Sequence, residues 1–556
     1  MGHTVAVSTG QQRIPWLFGA WSDSLFGCGL LYGLAFCVFL VSGAQIRTAQ
    51  PSLLFPLLIL LLGVPHYGAT LLRVYEQRRE RQAFVLFSLW ATLAITAIFV
   101  ASQHRMALAS FWVTLYLTWS PWHYTGQNYG IAVMFLRRGG AELDPLTKRW
   151  IYLSFLLSFV LVFIEMHAAA ARIADLPAGY TSDRGANFVP LGIPIAWAVR
   201  LAWVVGVAYC SALTVSALRL RRCASWRALF PAALLALSQL LWFSAPYAIH
   251  MLGLAPQLDP LNWKFRNHYF TWIAFAHSLQ YLWVTAYYAR QSSGWRGQLP
   301  QYAKAIAAGA APWTLPFLVF GPQALGPLSA DAGLAMLVAA TVNIHHFVLD
   351  GAIWKLRGRI AEVLIRSGSD TREPSDTRHR FGWRHPVWVA CALGLLLYTA
   401  RLVDEEFYRR SFASGDVADA RAASERMTRY GFDRGSVRFA LGQALLKEGR
   451  PVEAREQLLR SLELSPRPEA QLALGRSYER ERLWVRAAEA YEAALAAGLP
   501  AEHEAAARAL AAGAWLAAKQ PERARALLEL VPADDERFQH LFEEARGEPG
   551  GSPPSF

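Results

Sequence analysis

About eleven apolar runs recur along the chain, each near the ~20 residues that a helix needs to cross the hydrocarbon core of a bilayer. They fall at Ser24–Ser42, Leu53–Leu72, Phe84–Ala101, Ala107–Phe135, Trp150–His167, Ile193–Leu218, Leu229–Leu252, His268–Ala289, Ile306–Leu325, Gly333–Trp354 and Val387–Leu402. In hydrocarbon every backbone N–H and C=O needs an internal partner, and a helix supplies one within each run. The expected fold class is therefore all-α, a polytopic transmembrane helix bundle of about eleven spans over residues 1–403. Hydrophobic residues make up 54% of the 556, which excludes an ordinary soluble domain. Pro121 lies inside the fourth run, where a kink is expected.

The formal net charge is +13, yet its placement argues against nucleic-acid binding. Arg and Lys gather in every second loop, as in Arg73, Arg78, Arg79 and Arg81 after the second run or Arg219, Arg221, Arg222 and Arg227 after the sixth. The intervening loops hold few, among them Arg47, Arg105, Arg172 and Arg184. Positive charge marks the cytoplasmic side. This pattern places the chain in the plasma (inner) membrane with its amino terminus cytoplasmic and everything after the eleventh span extracytoplasmic. The stretch from Met1 to Arg13 lacks a basic region leading into a short apolar one, so the first span is expected to be retained. Five cysteines without a CxxC argue against a disulfide framework or a thiolate metal site.

From residue 404 the composition turns to Ala, Leu, Glu and Arg, and a repeat begins. Leu441, Gly442, Leu445, Ala454, Leu458 and Pro466 recur as Leu474, Gly475, Tyr478, Ala487, Tyr491 and Pro500. Small residues at helix crossings with large ones between them suit stacked helical hairpins. The pattern resembles the tetratricopeptide (TPR) helix–turn–helix repeat. That resemblance implies a soluble α-solenoid over 404–546 that binds a protein partner, with 547–556 a disordered tail. Gly513, Ala524 and Leu528 suggest a degenerate third unit, and Asp416 to Phe432 half of a leading one.

The chemistry lies in the membrane part. Its organising stretch is Asn343 to Lys355, where His345, His346 and Asp350 end an apolar run. Ionisable groups at membrane depth are expensive and mark function. Three other runs carry an imidazole: His66, His123 and His277. All four runs point from outside to inside. At ~1.5 Å per residue the imidazoles lie roughly 16–24 Å below the outer end, in one layer. Gln127 follows His123 by one turn and Asp350 follows His346, as groups that orient a ligating ring through its other N–H. A set of imidazoles suits iron, zinc, copper or nickel. The candidate metal ligands are His66, His123, His277, His345 and His346, with Tyr67, Trp122 and Tyr124 lining the pocket. An axial pair for haem and a proton relay are the alternative uses. His167, His250 and His268, at span ends, are expected to pack or hydrogen-bond.

The segment Gly63-Val-Pro-His-Tyr-Gly68, with isolated histidines on later spans, resembles the Brp/Blh family of bacterial and archaeal membrane proteins. Members include carotene 15,15′-dioxygenases that make retinal with histidine-bound iron and O₂. The resemblance runs over the first ten spans, with Pro65-His66 the best match. Here Tyr67 stands where the family pattern continues with Gly, no Asp follows in that motif, and a repeat domain is added. The resulting expectation is a membrane metalloenzyme, a non-haem iron oxygenase or related oxidoreductase acting on a lipophilic substrate such as a lipid or carotenoid. A transporter or lipid-linked glycosyl transferase is the alternative. The outer loops offer the latter Asp175, Asp183, Asp259 and Asp331 as acids.

Overall fold

A computed structural model describes residues 15–38, 53–76, 85–168, 186–245, 263–291, 295–354, 363–365, 384–531 and 538–546. The described residues are helical apart from turns and one isolated β-bridge between Ala168 and Ile193. In chain order the first helices are α1 (Ala20–Gly27), α2 (Leu30–Val38), α3 (Leu54–Tyr75) and α4 (Leu86–Gln103). Next come α5 (Met106–Arg138), α6 (Pro145–Met166), α7 (Ile195–Cys223), α8 (Trp226–Ser244) and α9 (Trp263–Arg290). The series ends with α10 (Gln298–Phe320), α11 (Ala330–Ile353) and α12 (Arg384–Ser414).

Eight of these helices, α3, α4, α6, α7, α8, α10, α11 and most of α12, are long and apolar enough to cross a membrane. The pair α1 and α2 would make a ninth, bent by 61°. The first expected span, Ser24–Ser42, is thus broken. Gly29, at φ +79°, turns the chain where a Cβ would meet Ser238 Oγ at 2.5 Å. Among the described residues the count is therefore eight, or nine with the bent pair, against the eleven spans expected. The helices α5 and α9 have 33 and 28 residues but are too polar to qualify. Their polar side chains turn into the bundle: Thr125, Asn128, His277 and Gln280 are all buried. Protein surrounds these side chains, as polar groups inside an apolar bundle require. The helix α5 runs unbroken through Pro121.

The central position expected of the His345–Asp350 stretch is visible in burial. In α11, 67% of the apolar window is buried, against 22% to 50% in the other seven. Near its start the helix is kinked at Gly333, whose φ of +122° only glycine adopts freely. Two close crossings fix α3 beside α10. A Cβ on Gly68 would lie 1.8 Å from the Ala305 carbonyl oxygen, and one on Gly309 would lie 1.9 Å from that of Val64. Small residues let helix backbones approach in this way.

The chain divides into two compact units. One comprises residues 1–181, 186–315 and 336–398, and the other 182–185, 316–335 and 399–556. The second unit is discontinuous in sequence and takes in a stretch read above as the end of a span and an outer loop. It contains a run of short helices: α13 (Val417–Arg429), α14 (Gly435–Lys447), α15 (Pro451–Leu464) and α16 (Pro468–Arg480). These continue as α17 (Trp484–Ala496), α18 (Ala501–Ala517), α19 (Pro521–Leu528) and α20 (Gln539–Arg546). Each of α14 to α19 packs on its neighbour in sequence. Gly442 of α14 faces Leu458 of α15, and Gly475 of α16 faces Tyr491 of α17. A Cβ at either glycine would come within 2.6 Å of that side chain. The same offset thus performs the same packing in both repeats. Asp331, considered above as an outer-loop acid, instead accepts the backbone N–H groups of Gly435 and Ser436 and so caps α14. Phe317 stacks on Phe432 with centroids 4.0 Å apart. The tail expected over 547–556 lies outside the described residues.

Candidate metal centre

Four helices deliver the site. His66 stands on α3 directly after a π-turn at Ile59–Gly63, a wider turn that shifts the helical register. The Leu61 carbonyl within that turn accepts a hydrogen bond from Tyr302. His123 comes from α5, His277 from α9 and His346 from α11. One ring nitrogen from each of these four histidines lies within 4.8 Å of all the others. The rings meet edge to face, with centroids 4.8 Å apart for His66 and His277 and 4.2 Å for His66 and His346. His123 lies 5.0 Å from both His277 and His346.

The nitrogens that face this point have no hydrogen-bond partner. His66 Nε2, His123 Nε2, His346 Nε2 and both nitrogens of His277 are buried and unsatisfied. Leaving one such group unpaired costs about 1–3 kcal/mol. A metal ion would serve them together, and the donor set fits one: this group of four histidines can hold a metal ion.

His345 is not part of the group. Its Nδ1 is 2.6 Å from Tyr67 Oη and its Nε2 is 2.7 Å from Thr92 Oγ1, so both nitrogens are occupied elsewhere. The physical reason is the ~100° per residue of a helix: adjacent residues cannot both face one point. Tyr67 gives its hydroxyl to His345, while its buried ring lies beside the cluster, 6.2 Å from that of His346. Trp122 is 44% exposed and points out of the cluster. Tyr124 is buried against His277, with ring centroids 4.2 Å apart. Gln127 does not orient an imidazole ring. Its amide donates to the His277 backbone carbonyl and to Gln280 Oε1. His167, expected to pack or hydrogen-bond, does so: Nε2 pairs with Thr118 Oγ1 and Nδ1 accepts from the Leu191 N–H. His250 and the side chain of His268 lie outside the described residues.

Asp350 lies at the site, with a richer set of partners than the sequence suggested. Its Oδ1 accepts from Thr70 Oγ1 at 3.1 Å and from Tyr281 Oη at 2.8 Å. Its Oδ2 is 3.3 Å from His346 Nε2 and 3.9 Å from His123 Nε2. Thr70 and Tyr281 were not singled out from the sequence, but a signal was there. Each site histidine is followed four residues on by a polar side chain: His66 by Thr70, His123 by Gln127, His277 by Tyr281 and His346 by Asp350. Residues i and i+4 share a helix face. Since the four histidines converge and Thr70, Tyr281 and Asp350 converge one turn further on, α3, α9 and α11 run in the same direction. Arg73 is a second finding. Counted above among loop charges, it is buried on α3, its guanidinium between the rings of Tyr288 and Trp354 at 4.1 and 3.9 Å. Trp354 in turn donates to Tyr281 Oη.

Comparison with family models, with curated proteins and with solved structures gives no match for this chain.

Proposed function

We propose that the protein is an integral-membrane metalloenzyme, a non-haem iron oxygenase or related oxidoreductase acting on a lipophilic substrate within the bilayer. The observation that carries this reading is the convergence of four buried imidazoles whose inward nitrogens have no other partner. An isolated helix–helix hydrogen bond would explain one such histidine, and a relay would leave each nitrogen paired with the next. A haem takes only two axial imidazoles, and the other two would stand where its ring has to lie, which favours a single ion over haem. Histidine-rich sites suit iron, and iron supplies redox and O₂ chemistry. The chain's own contribution is to position that ion among rigid helices and to shield it with Tyr124 and with Phe347, whose ring stacks on His123 at 4.4 Å. The repeat unit, as an extracytoplasmic TPR-like surface, would recruit a protein partner.

The test is the metal content of the full chain purified in mild detergent, followed by anaerobic Fe²⁺ reconstitution and O₂ uptake in the presence of carotenoid or lipid. About one ion per chain, lost in a His66→Ala/His277→Ala double variant, supports the reading. Absence of stoichiometric metal both as purified and after addition of Fe²⁺ or Zn²⁺ would sink it.

A further inference from the structure

We infer that Asp350 is itself a ligand of the metal, completing a set of four imidazoles and one carboxylate. This rests on the metal reading above and goes beyond the orienting role that the i, i+4 spacing suggested. An orienting carboxylate takes the N–H of the ring nitrogen that points away from the metal. In His346 that nitrogen is Nδ1, and it is already met by Thr70 Oγ1 at 3.0 Å. The Thr70 hydroxyl has a single hydrogen and two oxygen partners, Tyr281 Oη at 2.5 Å and Asp350 Oδ1 at 3.1 Å, so with that hydrogen given to either oxygen it presents a lone pair towards His346. With the Thr70 hydrogen so placed, His346 carries its proton on Nδ1 and a lone pair on Nε2.

That lone pair faces Asp350 Oδ2, another acceptor, across 3.3 Å, and the two do not form a hydrogen bond. Two buried acceptors in such contact repel unless a cation lies between them. A shared proton would need a hydrogen-bonding alignment, which this pair lacks. A metal ion needs only that both atoms lie on its coordination sphere. Donors that are each about 2.0–2.2 Å from one ion sit about 3–4 Å apart at ligand angles of roughly 90–135°. The Oδ2 separations of 3.3 Å from His346 Nε2 and 3.9 Å from His123 Nε2 both fit. Thr70 and Tyr281 hold Oδ1, fixing the carboxylate plane so that Oδ2 is the oxygen presented.

Four neutral imidazoles and one carboxylate leave a divalent ion with a net charge of +1. A hard oxygen donor selects a divalent first-row ion such as Fe²⁺, Mn²⁺ or Zn²⁺ over soft Cu⁺. The site's ligand class is thus a divalent cation bound through nitrogen and oxygen.

Infrared difference spectroscopy tests this on the full chain in detergent, stripped with chelator and then loaded with Zn²⁺. Protein labelled with ¹³C-aspartate identifies the carboxylate bands without any substitution. The expected result is a Zn²⁺-dependent change in the carboxylate stretches that shifts with the label and is lost in Asp350→Asn. Zn²⁺ affinity in that variant should fall by about 10-fold or more. If Zn²⁺ binds stoichiometrically and no labelled carboxylate band responds, Asp350 is not a ligand, while the four-histidine centre stands. If the unsubstituted protein binds no more Zn²⁺ than His66→Ala/His277→Ala, the metal reading itself fails, and this inference with it.

Discussion

Replacing Gly68 by alanine should disable the metal centre without touching a ligand. Gly68 is two residues beyond His66 on α3, at the crossing with α10. A Cβ there would stand 1.8 Å from the Ala305 carbonyl oxygen, and also 2.8 Å from the Gly309 nitrogen. Since real Cβ contacts do not fall below 3.0 Å, the helices must separate locally by at least 1.2 Å. Both obstructing atoms are backbone, so no side chain can rotate away. Overpacking of this kind costs about 1–3 kcal/mol, and the upper end applies where only backbone can yield. The effect on the site is sharper than the effect on stability. Metal–nitrogen distances tolerate about ±0.2 Å. Carrying His66 with α3 by about 1 Å removes it from the coordination sphere, an expected loss of at least about 10-fold in affinity. The assay is Zn²⁺ titration of metal-free protein in detergent, alongside a thermal melt of the same sample. Gly126→Ala is the control: nothing lies within 4 Å of its added Cβ on α5, and alanine is the better helix former. If Gly68→Ala binds Zn²⁺ within twofold of the unsubstituted protein, the crossing does not position His66 and the reasoning is wrong.

Further outcomes follow from the same geometry. Alanine at His346 should abolish metal binding, whereas His345→Ala should keep one ion per chain and lose roughly 1–3 kcal/mol of stability, since it strands the buried Tyr67 hydroxyl; equal metal loss in both would contradict the division of labour between them. Asp331→Ala should lower the melting transition of the repeat unit by the equivalent of about 0.5–2 kcal/mol, the usual worth of a helix cap, and an unchanged melt would show that the cap is dispensable. Asp144 caps α6, and its hydrogen bonds from the Thr147 hydroxyl and N–H hold its carboxyl down to about 2 from the ordinary 3.8. A depressed value stabilises the fold above the ordinary range, so that contribution should vanish as pH falls from about 4 to 2. Acid melts of Asp144→Asn should lack that step, and an identical acid profile would refute it. A reporter fused after Phe556 should act only on the extracytoplasmic side, and cytoplasmic activity would overturn the proposed orientation.

By itself the sequence determined the helical class, the apolar runs and the helices that carry the imidazoles. These are local properties: hydrocarbon length, charge placement and a residue's position on its own helix. The i, i+4 rule was equally available for Thr70 and Tyr281, but a hydroxyl one turn from a histidine gains meaning only when a second helix supplies its partner. Tertiary structure alone decided between His345 and His346, because spacing along one helix does not say which face meets the other three. It also turned Trp122 outward, buried Arg73 between two aromatic rings and gave Asp331 to the cap of α14, a helix about a hundred residues away in the chain. The apparent polarity of α5 and α9 has the same origin. Whether a polar side chain meets lipid or protein depends on which neighbours close around it, and those neighbours come from distant parts of the chain.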